Sequence, residues 1–483
     1  MSLSLPQLSF DNHYARLSER LYTRQHPTPV AAPKLFVFNE ILGKTLGLDR
    51  AKLGDEVLAA IFSGNEILPG SQPLASAYAG HQFGHFAGTL GDGRAIMLGE
   101  ISTSRGEHYE VQLKGSGRTP YSRGGDGRAW LGPVIREYLI SNAMPRYGVA
   151  STQALAAVTT GEQVLREYGP VPGAVLTRVA RSHARVGTFE YLAMKKDEDG
   201  ARELVDHLIE HHYPTLIDAE NRSIALLNAV IDKQANLIAS WQSIGFIHGV
   251  MNTDNASLVG ETIDYGPCAF MDEFDRAKVF SSIDRQGRYA YQNQPRIGHW
   301  NMAMLAQTLL PLMSSDETRA IALAQSAVDR FPGVYAAAYV HKMKDKFSLI
   351  DSDDEHDIEL MDEFLEIMQA HSVDFTLAFR ALSQTDDEAL MGLYEDKTSI
   401  TDWYTRWQMR VNHSHDAKRM QQINPAVIPR NHWVEATIQS ALNGEWDLFN
   451  EFDSALSKPF VDNSTFSTAP KIEQRVQATF CGT

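Results

Sequence analysis

Several short segments of this chain combine residue types suited to phosphate and metal chemistry. Lys114 closes a strand-like run, and Glu137 lies on the helix-like stretch that follows. A later loop reads His248-Gly-Val-Met-Asn-Thr-Asp-Asn255, and a turn reads Asp264-Tyr-Gly266. A lysine cation neutralises phosphate oxygens and a glutamate can hold that lysine in place. Asn and Asp side chains supply the hard oxygen ligands that magnesium takes. Asn255 and Asp264 are the expected metal ligands, and Asp254 is the only carboxylate in the loop His248–Asn255 that can accept a proton. Taken singly, each is an ordinary solvated side chain. Their ordered combination is what points to chemistry.

A glycine-rich loop, a strand lysine, a helical glutamate, a loop running from His to Asn and an Asp-x-Gly turn follow one another in the order of the parts of a protein kinase. A kinase loop carries its base at the third position, which here is Val250. Valine accepts no proton. Asp254 is displaced from that position and stands beside Asn255, so two readings stay open: a different reacting geometry, or a pseudokinase that only binds nucleotide. Arg178 and Arg185 suit phosphate oxygens through their guanidinium forks, although alone they would read as surface charge. Asp126-Gly127 could turn backbone N–H groups toward phosphate, with a simple turn as the plainer explanation.

The elements that must position these residues are legible in outline. Gly80-His-Gln-Phe-Gly-His-Phe86 and Gly91-Asp-Gly93 precede strand-like runs at Arg94–Ile101 and His108–Lys114, joined by a polar turn at Gly106, which together read as a β-hairpin. Gly115 to Gly127 forms a second glycine cluster ahead of a helix over Leu131–Tyr147, with Pro133 in its first turn. A strand at Ala174–Ala180, a helix at Ala225–Ile244 stopped by Gly245 and a short strand at Ala256–Val259 are expected next. Helices follow at Trp300–Met313, Glu317–Val328, Asp357–Ala370 and Trp433–Leu442. The fold class is α+β: a protein-kinase-like two-lobed fold with an additional, mainly α-helical C-terminal region. Its expected divisions are 1–185, 186–315 and 316–483.

The chain has 483 residues, 43% of them hydrophobic, enough to bury a large core. Its 60 acidic against 44 basic side chains give a net charge of −16, which argues against nucleic acid or anionic membrane as a partner. No apolar run reaches the ~18 residues of a spanning helix, and no basic, then apolar, leader opens the sequence. Together with only two cysteines, Cys268 and Cys481, this reads as an uncleaved cytoplasmic protein. The oligomeric state has no signature in the sequence. His207-Leu-Ile-Glu210-His211 has the spacing of an inverted zinc-protease motif and supplies a remote alternative, a zinc hydrolase. Gly43-Lys-Thr45 is not a phosphate loop, because Phe38 stands where the earlier glycine is needed.

Six segments are more specific. Gln82-Phe-Gly84, Leu90-Gly-Asp-Gly-Arg94, Gln112-Leu-Lys-Gly-Ser-Gly-Arg-Thr-Pro120, Gly125-Asp-Gly-Arg128, the His248–Asn255 loop and Asp264-Tyr-Gly-Pro267 resemble the selenoprotein O (SelO) protein adenylyltransferase family over almost the whole chain. The resemblance implies ATP bound in a flipped orientation, with AMP transferred to Ser, Thr or Tyr hydroxyls of proteins, redox proteins among them, and pyrophosphate released. It also implies UMP transfer with Mn2+ as a further capability. By the same resemblance Asp254 is the proton acceptor, Asn255 and Asp264 bind Mg2+, and Lys114, held by Glu137, binds phosphate. Gly91, Gly93, Arg94, Asp126, Gly127, Arg178 and Arg185 complete the nucleotide site. The terminal Cys481-Gly-Thr483 resembles the family's selenocysteine or cysteine position, and Cys268 would be the residue to pair with it.

Overall fold

Strand residues 110–114 alternate between apolar and polar, and the central sheet divides its faces accordingly. Val111, Leu113, Val175 and Val179 join Leu58 and Phe62 of the helix Asp55–Ser63 in one apolar cluster. Glu110, Gln112, Lys114 and Arg178 occupy the opposite face, since successive strand residues point to opposite sides. The computed structural model describes residues 5–167, 169–350, 354–384, 386–411 and 416–480.

In chain order the strands of the first half are β1 (Tyr22–Arg24), β2 (Lys34–Phe38), β3 (Leu74–Ser76), β4 (His81–Gln82), β5 (His85–Phe86), β6 (Ala95–Ser102), β7 (His108–Lys114), β8 (Ala129–Trp130), β9 (Gln153–Arg166) and β10 (Gly169–Ala180). The main sheet runs β1-β3-β6-β7-β10-β9-β2, with β8 paired to β10 and every pairing antiparallel. The small pair β4 and β5 stands apart from it. The expected β6–β7 hairpin is present. So is the strand at 174–180, which extends back through Pro170 and Pro172 to Gly169 past an irregularity before Ala174. The sequence reading missed β9: all of Ala154–Val158 is buried, so the segment lacks the alternation that marks a strand with one wet face.

The Glu137 helix spans Leu131–Ala143 and continues as a 3-10 turn to Tyr147, ending at Gly148 with φ 75°. Helices at Arg222–Ser243, Gln294–Met313, Glu317–Val328, Asp354–Ala370 and Asn431–Leu442 lie where they were expected, several beginning a few residues earlier. The strand expected at Ala256–Val259 does not form. Ser257 makes one bridge to Arg185, and the chain then turns at Gly260, where φ is 73°, because no neighbouring strand runs beside it. Beyond residue 315 the described residues hold helices and no strand.

The C-terminal helices brace the Glu137 helix. Val134, Ile135, Tyr138 and Leu139 pack with Val434, Ile438, Phe449 and Phe452. Burying each such side chain contributes about 1.5–3 kcal/mol. Arg136 pairs with Glu435, Arg146 donates to the Ser457 carbonyl at 2.9 Å, and the Tyr147 hydroxyl donates to the Val427 carbonyl at 3.0 Å. Among the described residues no helix is long and apolar enough to cross a membrane.

Candidate functional site

Lys114 ends β7, opposite Ala95 of β6 and Leu176 of β10, with Arg178 two residues further along β10 on the same face. Their cations converge on Glu137, which projects from the helix behind the sheet. Lys114 Nζ donates to Glu137 Oε2 at 2.6 Å, while Arg178 Nη2 and Nε reach Oε1 at 2.6 and 2.9 Å. Both cations also engage Asp264 Oδ1, Arg178 at 3.3 Å and Lys114 through a direct hydrogen bond. Burial would raise the Asp264 carboxyl pKa, but Lys114, Arg178 and Arg94 outweigh it and hold the group well below the usual carboxylate range. Burial likewise opposes ionisation of Glu137, and Arg178 and Lys114 override it. Asp264 sits at φ 68°, a left-handed conformation rare for a side chain other than glycine, and its carboxylate stays 28% exposed.

A cavity of about 920 Å³ opens in front of this network. Gly91, Gly93, Arg94, Lys114, Asp126, Gly127, Arg178, Arg185, Asp254, Asn255 and Asp264 all line it. Glu137 does not line it and acts on it through Lys114. Eight cationic side chains face the cavity against five carboxylates, in a chain of net charge −16, so a local basic pocket sits within an acidic surface. Arg118 and Arg123 are exposed at its rim.

The two glycine loops close on each other. A Cβ at Gly91, where φ is 68°, would lie 2.3 Å from the Tyr121 ring, and one at Gly127 would lie 2.1 Å from the Gly117 carbonyl oxygen. Thr119 Oγ1 donates to the Asp92 carbonyl at 2.7 Å, and Ser122 Oγ to the Gly93 carbonyl at 2.5 Å. The Asp126 carboxylate is already taken, by Arg166 Nη1 at 2.7 Å and the Arg128 N–H at 2.9 Å. Its side chain pins the loop, with 43% of that side chain still exposed beside the cavity.

Asp254 lies in a 3-10 turn, Thr253–Asn255, packed under β4. Thr253 holds that contact: it accepts from the His81 N–H at 2.7 Å and donates to Glu190 Oε2 at 2.5 Å. A Cβ at Gly80 would lie 2.5 Å from Asp254 Oδ1, so only glycine fits there. Gln82 Nε2 donates to Asp254 Oδ2 at 3.1 Å, whereas Oδ1 is buried and has no hydrogen-bond partner among the described residues. Burial pushes the Asp254 carboxyl up to about 6, with Gln82 pulling the other way. Arg185, the N-cap residue of the helix Val186–Met194, reaches the Asp254 carbonyl with Nη1 at 3.2 Å and stacks 4.3 Å from the Tyr78 ring. Its Nη2 is buried without a hydrogen-bond partner among the described residues. Asp254 and Arg185 both line the cavity, and these two atoms, Oδ1 and Nη2, are buried within its wall. Asn255 Nδ2 donates to the Val250 carbonyl at 3.0 Å, which fixes the amide and leaves its oxygen as a donor atom for a cation.

His248 is buried and anchors the loop rather than reacting: Nε2 pairs with the Ile263 carbonyl at 3.0 Å, tying the loop to the residue before Asp264. Sequence reading overlooked several groups. Gln82 holds Asp254, and Asp92 accepts from Gln112 Nε2 and the Ser76 N–H, both at 3.1 Å, while lying 3.8 Å from Arg185. Asp92 stands between two glycines, the pattern that could have singled it out. Of the two cysteines, Cys268 is fully buried, with its thiol pushed up to about 12, and Cys481 lies outside the described residues. In the zinc alternative, the His207 and His211 rings do lie 4.8 Å apart, but Glu210 is exposed and no convergent ligand group among the described residues contains these residues.

Comparison with known proteins agrees over nearly the full length. The family profile described as "Protein adenylyltransferase SelO" matches residues 4–457. The chain is 50% identical over 495 residues to the protein nucleotidyltransferase YdiU of Rhizobium rhizogenes, covering 100% of this chain and 98% of the relative. It is 50% identical over 483 residues to the protein of the same description from Geobacillus kaustophilus, covering 98% and 99%. The Anoxybacillus flavithermus protein of that description is 49% identical over 484 residues, covering 98% and 99%.

Proposed function

The chain belongs to the protein adenylyltransferase SelO family, and from that premise we propose that it transfers AMP from ATP to Ser, Thr or Tyr hydroxyls of other proteins in the cleft between Lys114 and Asp254. In this step the acceptor hydroxyl oxygen bonds to the α-phosphorus, the bond from that phosphorus to the bridging oxygen breaks, and pyrophosphate leaves. Asp254 takes the hydroxyl proton. The observation that carries this reading is Asp254 itself: a largely buried carboxylate in the wall of the cation-lined cavity, in a loop whose kinase base position holds Val250.

Lys114 and Arg178, fixed by Glu137, would bind phosphate oxygens, with Arg94 and Arg185 completing the cationic wall. Asn255 and Asp264 would hold Mg2+, or Mn2+ in transfer of UMP from UTP, and the ion would neutralise charge building on the phosphates. The order of strand lysine, helical glutamate, catalytic loop and Asp-Tyr-Gly supports a kinase-like arrangement, with 1–185 and 186–315 as its two lobes and 316–483 as an added helical region that braces the Glu137 helix.

Incubation with a cell lysate and ATP labelled on either the α- or the γ-phosphate tests the proposal. Label is expected on protein from α-labelled ATP only, and the signal is expected to vanish with Asp264→Ala. Transfer of the γ label would refute it, and nucleotide binding with no transfer would favour a scaffold.

A further inference from the structure

We propose that the chain carries a second cation site, separate from the nucleotide cleft, in which Asp11, His13 and His108 bind a late first-row divalent metal such as Zn2+. One ligand atom from each of the three comes within 4.8 Å of the others, and none of them lines the cleft. His13 is set in place from behind: its Nδ1 lies 2.7 Å from Glu100 Oε1, and its backbone N–H donates to Oε2 at 3.1 Å. A buried carboxylate that fixes one ring nitrogen leaves the other aimed outward, the arrangement that commonly backs metal-bound histidines.

His13 Nε2 meets Asp11 Oδ2 at 3.1 Å. When Nδ1 donates to Glu100, Nε2 and Asp11 Oδ2 stand face to face as acceptors, an arrangement that a cation between them would satisfy. Arg16 occupies Asp11 Oδ1 at 2.6 Å and leaves Oδ2 to that role. His108 closes the third side, its ring 4.9 Å from that of His13 and its Nδ1 3.1 Å from Ser102 Oγ.

A second observation lies in the adjoining cavity of about 440 Å³, lined by His13, His207 and His211. The His211 ring lies 3.9 Å from that of His13 at a tilt of 42°, and His207, only 5% exposed, has its Nε2 without a hydrogen-bond partner among the described residues. An orphaned imidazole nitrogen beside a convergent His, His, Asp set indicates a position for a ligand. Two imidazoles with one carboxylate select zinc, cobalt or nickel over magnesium, and the His211 ring adjoins the His13 ring. The pair of histidines one turn apart on the helix Glu198–His212 therefore borders the site, and the ligands come from the N-terminal segment and the β6–β7 hairpin.

Co2+ titration of the full-length protein in excess Mg2+ reads this directly through visible d–d absorption, and elemental analysis of the purified protein supplies a second measure. One equivalent of Co2+ is expected to bind and to be displaced by Zn2+. His13→Gln and His108→Gln should each weaken it at least tenfold, and zinc should raise the Tm of the parent but not of these variants. Should His13→Gln fail to fold, Asp11→Asn, at a partly exposed position, together with His108→Gln carries the test. Absence of a Co2+ equivalent, or unchanged binding in the His108 and Asp11 variants, would overturn the proposal. So would loss confined to His207→Ala and His211→Ala.

Discussion

Replacing Asp254 by Asn separates two consequences of its burial. The carboxyl is pushed from its ordinary 3.8 to about 6, chiefly by burial. A base acts only when ionised, so about 90% of the protein is competent at pH 7 and about 10% at pH 5, and kcat/KM is expected to fall about tenfold across that interval. Asp254→Asn should remove this limb and lower kcat by about 10²–10⁴, the span of general-base contributions. Stability moves the other way. Because the folded-state pKa lies above the unfolded value, the favourable contribution of Asp254 is complete below the unfolded carboxyl range and is lost as pH rises through about 6. At pH 8 the ionised carboxylate therefore costs about 3 kcal/mol, from a shift of about two units, and the Asn variant should unfold at a higher temperature than the parent. Gln82→Ala removes the hydrogen bond that favours the ionised form and should move the activity limb to higher pH. The measurements are a pH series of α-labelled AMP transfer and thermal unfolding at pH 8. A flat parent profile between pH 5 and 7, or an Asn variant that keeps both its activity and the limb, would refute the assignment of Asp254 as base.

Three further outcomes follow from buried charge. Glu137→Gln leaves Lys114 and Arg178 to share Asp264, and losing one partner of a buried network costs about 3–5 kcal/mol; kcat/KM should fall at least a hundredfold while circular dichroism is unchanged, because the helix is held by Val134, Ile135 and Tyr138. Arg430 is fully buried between Asp272 at 2.6 Å and Asp374 at 2.7 Å, so Arg430→Met should destabilise by about 3–5 kcal/mol in urea titration, with the larger loss at high pH, where Asp272, its carboxyl raised chiefly by burial, is ionised. Glu110 is pushed up to about 8 by burial; its contribution is full below the unfolded carboxyl range and lost as pH rises through about 8, so the Tm of the parent should fall between pH 6 and 9 and that slope should flatten in Glu110→Gln.

Lys114, Glu137, Asn255 and Asp264 were legible because their chemistry fixes residue type and chain order together, and the hairpin and long helices because their side chains alternate or recur with a helical period. β9 was not legible, since a strand buried on both faces carries no alternation. The strand expected at 256–259 failed for the converse reason: its composition suited a strand, but no neighbour offered it hydrogen bonds. The role of the C-terminal helices in bracing the Glu137 helix was also invisible, because Arg136 and Glu435 meet across 299 positions of chain.

The sequence by itself determined which groups could do phosphate chemistry, in what order, and that Val250 cannot serve as a base. Tertiary structure alone decided that Asp254 keeps an unpartnered oxygen, that Arg178 shares Glu137 with Lys114, that Asp126 pairs with Arg166, and that His13 and His108 meet beside the histidine pair whose spacing suggested zinc. The physical reason is common to all four: protonation and pairing depend on burial and on cations brought together from distant parts of the chain, and neither is a property of local spacing.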